Sequence, residues 1–234
     1  ILAVPFLLTY LLYRKRRTLR AVIPLNEKKS HNISTDALVG LALCLAALFL
    51  YAHGSYSFYS LEYHLASLPL FIAGCILILF NYETLRALAF PVIFLLLLMP
   101  PPVETLYLVA AQLAELSSEV AYHFLKFLGF PVRLSYTQGI PTIIVQSGSN
   151  PLTFAIDAPC AGIYSLLGFA VFALFAAYIT KGARWKKVIL FSVGFFLIYG
   201  LNILRILSIV LAGYWWGMEA AMGLFHTLGG TVLI

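Results

Sequence analysis

Three side chains able to do covalent chemistry recur along the last third of the chain: Cys160, Arg205 and His226. A cysteine thiolate is a nucleophile, a guanidinium steadies negative charge, and a histidine moves protons near neutral pH. Cys160 stands in Asp157-Ala158-Pro159-Cys160-Ala161-Gly162. The proline announces a helix start, and a helix N-terminus would lower the thiol pKa. Arg205 is the only charge between Val188 and Met218. Such a charge in an apolar helix is costly, so it either marks a function or snorkels to headgroups. Tyr199 and Asn202 precede it at three-residue intervals and share its face. His226 lies in Phe225-His226-Thr227-Leu228-Gly229-Gly230, where the plain alternative is a hydrogen-bonded packing residue. Counted from Met218, it is about 12 Å into its helix. Asp157 and Asn202 are read as supporting or substrate-binding groups.

The other candidates carry less. Cys44 and Cys75 sit inside apolar runs and read as small buried hydrophobes, which leaves Cys160 as the one cysteine on the outer side. His31, His53, His64 and His123 show no metal-ligand spacing. There is no His-Glu-x-x-His, no Cys-x-x-Cys and no phosphate-binding glycine loop, so neither a metal nor a cofactor is expected.

The elements that must position these residues follow from composition. Of 234 residues, 62% are hydrophobic and only 10% charged. Soluble domains carry about 25% charged residues, so a soluble globule is excluded. A disordered chain, a coiled coil and a nucleic-acid-binding domain are excluded with it. The net charge of +6 comes from short basic clusters between apolar runs, which is the pattern of inner-side membrane loops. A spanning helix needs about 20 mostly apolar residues. Seven candidate spans are read at 1–13, 36–53, 65–80, 87–103, 160–180, 188–213 and 218–234. The basic segment 14–35, with Arg14 to Arg20, Lys28 and Lys29, is placed inside, as is Lys181 to Lys187. The sequon Asn32-Ile33-Ser34 then falls on the inner side and is a chance match. Helix 160–180 starts outside, and Arg205 lies about 27 Å from Lys187 by helical rise, close to the outer edge of the hydrocarbon. Tyr214, Trp215 and Trp216 form an interfacial belt.

For both basic clusters to share one side, residues 104–129 must not cross. Gln112, Glu115, Glu119, His123 and Lys126 lie on one helical face, so this segment reads as an outer amphipathic helix after the break at Pro100-Pro101-Pro102. That face is either solvated or lines a substrate cleft. Residues 131–159 read as a small β-rich outer cap. Val132, Leu134 and Tyr136 alternate with polar residues there, and Thr142 to Val145 and Leu152 to Ile156 supply further strand-like pieces.

Cys, Arg and His in this order, on three consecutive helices reachable from outside, resemble the exosortase/archaeosortase family of multi-pass cysteine transpeptidases. Pro159-Cys160-Ala161-Gly162-Ile163, Asn202-Ile203-Leu204-Arg205-Ile206 and His226-x-x-x-Gly230 are similar to its Cys-x-Gly-Ile, Asn-x-x-Arg-Ile/Val and His motifs. The resemblance covers about 30–234 in hydropathy and 155–230 in motif. Ala161 and Tyr164 depart from bacterial members, which often have Ser and Arg there. His226 departs from archaeal members that use Arg.

The resemblance implies a single integral-membrane domain over 1–234. Its fold class is an all-α membrane protein: a polytopic transmembrane helix bundle of about seven spans, with the outer helix and β-rich cap, and with 160–234 as catalytic helices. It implies a prokaryotic cytoplasmic membrane and an active site facing outside. Partners would be exported proteins with a C-terminal motif, hydrophobic helix and basic cluster, together with a lipid or other envelope acceptor, and no nucleic acid. Cys160 would form a thioester, Arg205 would hold the oxyanion and His226 would transfer protons. The alternatives are a non-enzymatic transporter or assembly factor, and an intramembrane cysteine protease releasing its product to water.

Overall fold

Helix forms almost everywhere the apolar runs demand it. The computed structural model describes residues 3–22, 35–147, 150–157 and 159–231. In chain order these are α1 (Ala3–Val22), α2 (Thr35–Gly54), α3 (Ser60–Leu79), α4 (Tyr82–Phe94) continued by a 3-10 turn (Leu95–Leu98), and α5 (Val103–Phe127). Strands β1 (Val132–Thr137), β2 (Ile140–Ser147) and β3 (Asn150–Ala155) follow. A 3-10 turn (Pro159–Ala161) then leads to α6 (Ile163–Ile179), α7 (Arg184–Trp216) and α8 (Met218–Thr231). The inner segment expected over 14–35 begins as helix, because α1 runs on to Val22. Lys28, Lys29, His31 and the sequon at Asn32 lie outside the described residues.

The fold is that of a mostly helical membrane protein with a small three-stranded sheet. Three helices, α2, α3 and α7, are long and apolar enough to cross a membrane. The count rises to four only if α4 with its continuation and α5, bent by 78° at the break between them, form one broken span rather than a re-entrant loop; the expectation that 104–129 does not cross corresponds to the lower count. Of the seven expected spans, 1–13, 160–180 and 218–234 correspond to α1, α6 and α8, which fall short among the described residues, and 87–103 corresponds to α4, which does not span by itself. Charges from Arg14 onward occupy the second half of α1. Helix α6 has 17 residues and α8 has 14, about 25 and 21 Å by helical rise.

The chain divides into two compact units, Ile1–Pro100 and Pro101–Ile234. In the first, α2 and α3 pack through small residues. A Cβ on Gly40 would lie 2.8 Å from the Gly74 carbonyl oxygen, and one on Gly74 would lie 2.5 Å from Cys44 Sγ. Close backbone approach through small residues is how helices associate where lipid removes the hydrophobic drive. Cys44 is buried there, and both Cys44 and Cys75 are free thiols. Asn81 caps α4 by accepting from the Thr84 N–H at 2.8 Å, and Asp36 Oδ2 accepts from the Tyr82 N–H at 3.1 Å.

The second unit is built around the sheet, whose order is β1-β2-β3 with both pairings antiparallel. Gln138 and Gly139, with φ of 53° and 79°, close β1 on β2 in a two-residue turn of the type I′ kind. The outer cap expected over 131–159 is thus a meander, with its strands where the alternation places them. The expected amphipathic helix is α5. It buries Ala110, Ala114, Ser117, Ser118, Ala121 and Leu125 and exposes Gln112, Glu115, Glu119, His123 and Lys126. Small residues on its inner face let it lie close to the sheet. Ile143 and Val145 of β2 are fully buried between Ala114, Ala121 and Leu125 of α5 and Ile206, Leu207 and Val210 of α7. Phe130 meets Tyr214 edge to face at 5.2 Å, so the end of α7 is pinned to the start of the sheet.

Candidate active site

Strand β3 runs straight into the cysteine. After Ala155 the chain passes Ile156, which is buried, and Asp157, which is exposed. The Asp157 carbonyl accepts from the Ala161 N–H at 3.0 Å, and its Oδ1 accepts from the Cys160 N–H at 3.3 Å. This aspartate therefore shapes the 3-10 turn that presents Cys160. Gly162 closes the turn in the left-handed region, with φ of 77°, and α6 begins only at Ile163.

Helix α7 brings up the second half. Its expected polar face is real, but its three members do different things. The Tyr199 hydroxyl accepts from Ser117 of α5 at 3.2 Å. Asn202 is 2% exposed, and its Nδ2 donates to the Cys160 carbonyl at 3.1 Å. A Cβ at Gly162 would lie 2.7 Å from Asn202 Cγ, so glycine is required there for space as well as for φ. Arg205, one turn on, lies over the ring of Phe225 from α8, with Cζ 5.4 Å from the centroid. Two buried polar atoms, Arg205 Nε and Asn202 Oδ1, have no hydrogen-bond partner among the described residues.

Cys160, Asp157 and Arg205 line one cavity of about 360 Å³. Thr153 to Ile156 form a second wall, and Ile209, Val210, Met218, Ala221, Met222 and Phe225 make the rest apolar. Gly217, with φ of 85°, is the single residue between α7 and α8 and allows the sharp turn that folds α8 toward the site. Gly213 leaves room for the Phe154 ring, which a Cβ would approach to 2.5 Å. His226 is exposed, packs edge to face on Phe225 at 5.5 Å and is not among the lining residues. Of the sequence-expected residues, then, Cys160, Arg205 and Asp157 share the cavity, Asn202 supports it from below, and His226 stands beside it.

The thiol differs from expectation. Burial, and then the Asp157 carboxylate to which it is hydrogen-bonded, push Cys160 up to about 11, while Arg205 pulls the other way. A helix N-terminus was expected to lower it. The cysteine instead sits in the turn ahead of α6, with Gly162 at the cap, so desolvation dominates. Among the described residues no group of three or more His, Cys, Asp or Glu is placed to hold a metal ion.

The wall of β3 and the ring of Phe225 were not picked out from sequence. Met218, Ala221, Met222 and Phe225 follow the i, i+3, i+4, i+7 spacing of one helical face, which was the available signal for α8.

A helical membrane protein with a cysteine and an arginine on one cavity defines the class. The family model for transmembrane exosortases matches residues 1–234, the whole chain, and the protein belongs to that family. Comparison with curated proteins and with solved structures finds no match.

Proposed function

We propose that this exosortase-family protein is a cysteine transpeptidase that cuts a C-terminal sorting tail from exported proteins and passes the new carboxyl end to an envelope acceptor. The observation that carries this reading is that Cys160 and Arg205, remote in sequence, line the same cavity, with Asn202 fixing the cysteine main chain beneath them. The Cys160 thiol passes its proton to Asp157 as sulfur bonds to the scissile carbonyl carbon. Negative charge on that oxygen develops against Arg205, whose Nε is unpaired in the resting site. Collapse breaks the C–N bond, the proton leaves on the departing amine, and a thioester remains. An acceptor hydroxyl or amine then attacks the thioester, loses its proton, and the sulfur departs and is reprotonated. His226 is assigned the proton transfers of this second half. His226 follows Phe225, which lines the cavity, and lies on the exposed side of α8.

The test is processing of a co-expressed exported protein carrying a tail of short motif, apolar helix and basic cluster, at matched abundance of each variant. Cys160→Ala is expected to abolish processing. Arg205→Lys should reduce it by about 100- to 1,000-fold, the usual effect of losing one oxyanion donor. His226→Ala should accumulate the thioester, seen by mass spectrometry as a covalent adduct on Cys160. Normal processing by Cys160→Ala would remove the cysteine mechanism.

A further inference from the structure

Among the described residues strand β3 is paired on one side only, to β2. Its register shows which of its residues are left over. The Ile156 N–H donates to the Pro141 carbonyl at 2.9 Å, so the main chain of Ile156 faces β2. By strand alternation Phe154 and Leu152 also face β2, opposite Ile143 and Val145, and Pro151, Thr153 and Ala155 face away. The side chains alternate separately, between the two faces of the sheet: Pro151, Thr153 and Ala155 are on the exposed face, Leu152, Phe154 and Ile156 on the more buried one. Residues 153–156 as a whole line the cavity that holds Cys160 and Arg205, so the free main-chain groups of Thr153 and Ala155 lie beside it. A free strand edge that leads into a nucleophile is a template for one more strand, because main-chain groups left unpaired bind an extended peptide without regard to its side chains.

We propose that the free edge of β3, through the outward main-chain groups of Thr153 and Ala155, takes up an extended segment of the peptide substrate as a fourth strand and leads its scissile carbonyl to Cys160. This rests on the acyl-transfer reading above and adds how the peptide is held. Thr153 and Ala155 are two steps apart, about 6.7 Å along the strand, so they pair with two alternate residues of the incoming segment. A side chain of that segment turned to the helices meets Met222 and Phe225 and is apolar.

The probe is an acetylated tripeptide chloromethyl ketone with small apolar side chains, compared with iodoacetamide on the full chain in membranes. Each reagent alkylates the Cys160 sulfur with loss of halide, but only the peptide can use the edge. Thr153→Pro removes one outward N–H without touching the ladder to β2, and Pro151 already occupies the same kind of position. The ratio of peptide rate to iodoacetamide rate should fall by up to roughly tenfold in Thr153→Pro, the upper worth of one main-chain hydrogen bond. Thr153→Ser, which keeps the N–H, should restore the ratio. If Thr153→Pro fails to fold, N-methylating the probe amides in turn tests the same bonds on the unaltered protein, and at least one methylation should produce the same drop. An unchanged ratio across Thr153→Pro and across the methylated probes overturns the strand-pairing proposal while leaving the nucleophile intact. Absence of labelling at Cys160 by either reagent overturns the acyl-transfer reading, and the proposal with it.

Discussion

Cys160 is held as a thiol until something changes around it. Its pKa is raised to about 11 by burial and by Asp157 and lowered by Arg205, so each neighbour has a sign that can be read in alkylation. Removing a group that raises the pKa increases the thiolate fraction at fixed pH. Asp157→Asn is therefore expected to speed iodoacetamide labelling of Cys160 at pH 8, while Arg205→Gln should slow it; the opposite order in mass-spectrometric labelling rates would contradict this electrostatic arrangement. Gly162 offers a second measurement. Alanine there meets both a positive φ and the Asn202 amide at 2.7 Å, so Gly162→Ala should cost about 1–3 kcal/mol of stability. Asn202→Ala, which itself loses the bond to the Cys160 carbonyl, should cost less in the Gly162→Ala background than in the natural chain, because the steric conflict goes with it; thermal unfolding of both single variants and the double variant in detergent reads this. At this scale the sequence was informative where residue type is rare. One arginine in a long apolar helix and one cysteine after a proline stand out by themselves. The direction of the thiol shift was not legible, because it depends on how deeply the turn is buried and on an aspartate whose orientation only the fold determines. The exposed position of His226 was not legible either: one helical step separates it from Phe225, and hydropathy does not say which of the two faces the cavity.

Between elements, close approach matters more than charge. Helices α2 and α3 meet at Gly40 and Gly74, where any larger side chain would meet main chain or a buried sulfur. Gly74→Leu is expected to push the pair apart and destabilise the protein by about 1–3 kcal/mol, as overpacking does. The check is unfolding in mixed detergent, where Glu115→Gln on the exposed face of α5 should shift the midpoint by no more than about 0.5 kcal/mol. Helix positions were legible because long apolar runs leave few alternatives, and the polar stripe of α5 and the alternation in the strands give their periods directly. The number of crossings was less so. A run such as 1–13 counts as apolar by itself, yet the helix it belongs to continues through Arg14, Arg16 and Arg17, and hydropathy windows do not see where a helix stops. That the last strand leads to the cysteine follows from chain order; what was hidden is the pairing order, since nothing in the alternation says that β2 lies between β1 and β3 and leaves one side of β3 unpaired.

At the level of the whole molecule, the second unit contains every part of the candidate site that the structure brings together. By the positive-inside rule the basic residues after α6 are expected to put the 181–187 loop inside and the sheet on the opposite side, and thiol labelling tests it. In a cysteine-free background, Thr137→Cys is expected to react with a membrane-impermeant thiol reagent in intact cells, and Ala183→Cys only after permeabilisation. The reverse pattern would turn the active site toward the cytoplasm and end the role in processing exported proteins. The sheet that this experiment places carries a further implication. Within β3 its free edge offers two outward N–H groups, those of Thr153 and Ala155, since Pro151 has none and the strand ends at Ala155. An opening that short cannot seed a lengthening stack of strands between neighbouring molecules, however crowded the membrane becomes. The protein can thus keep an edge open for passing clients without that edge becoming a route to its own aggregation.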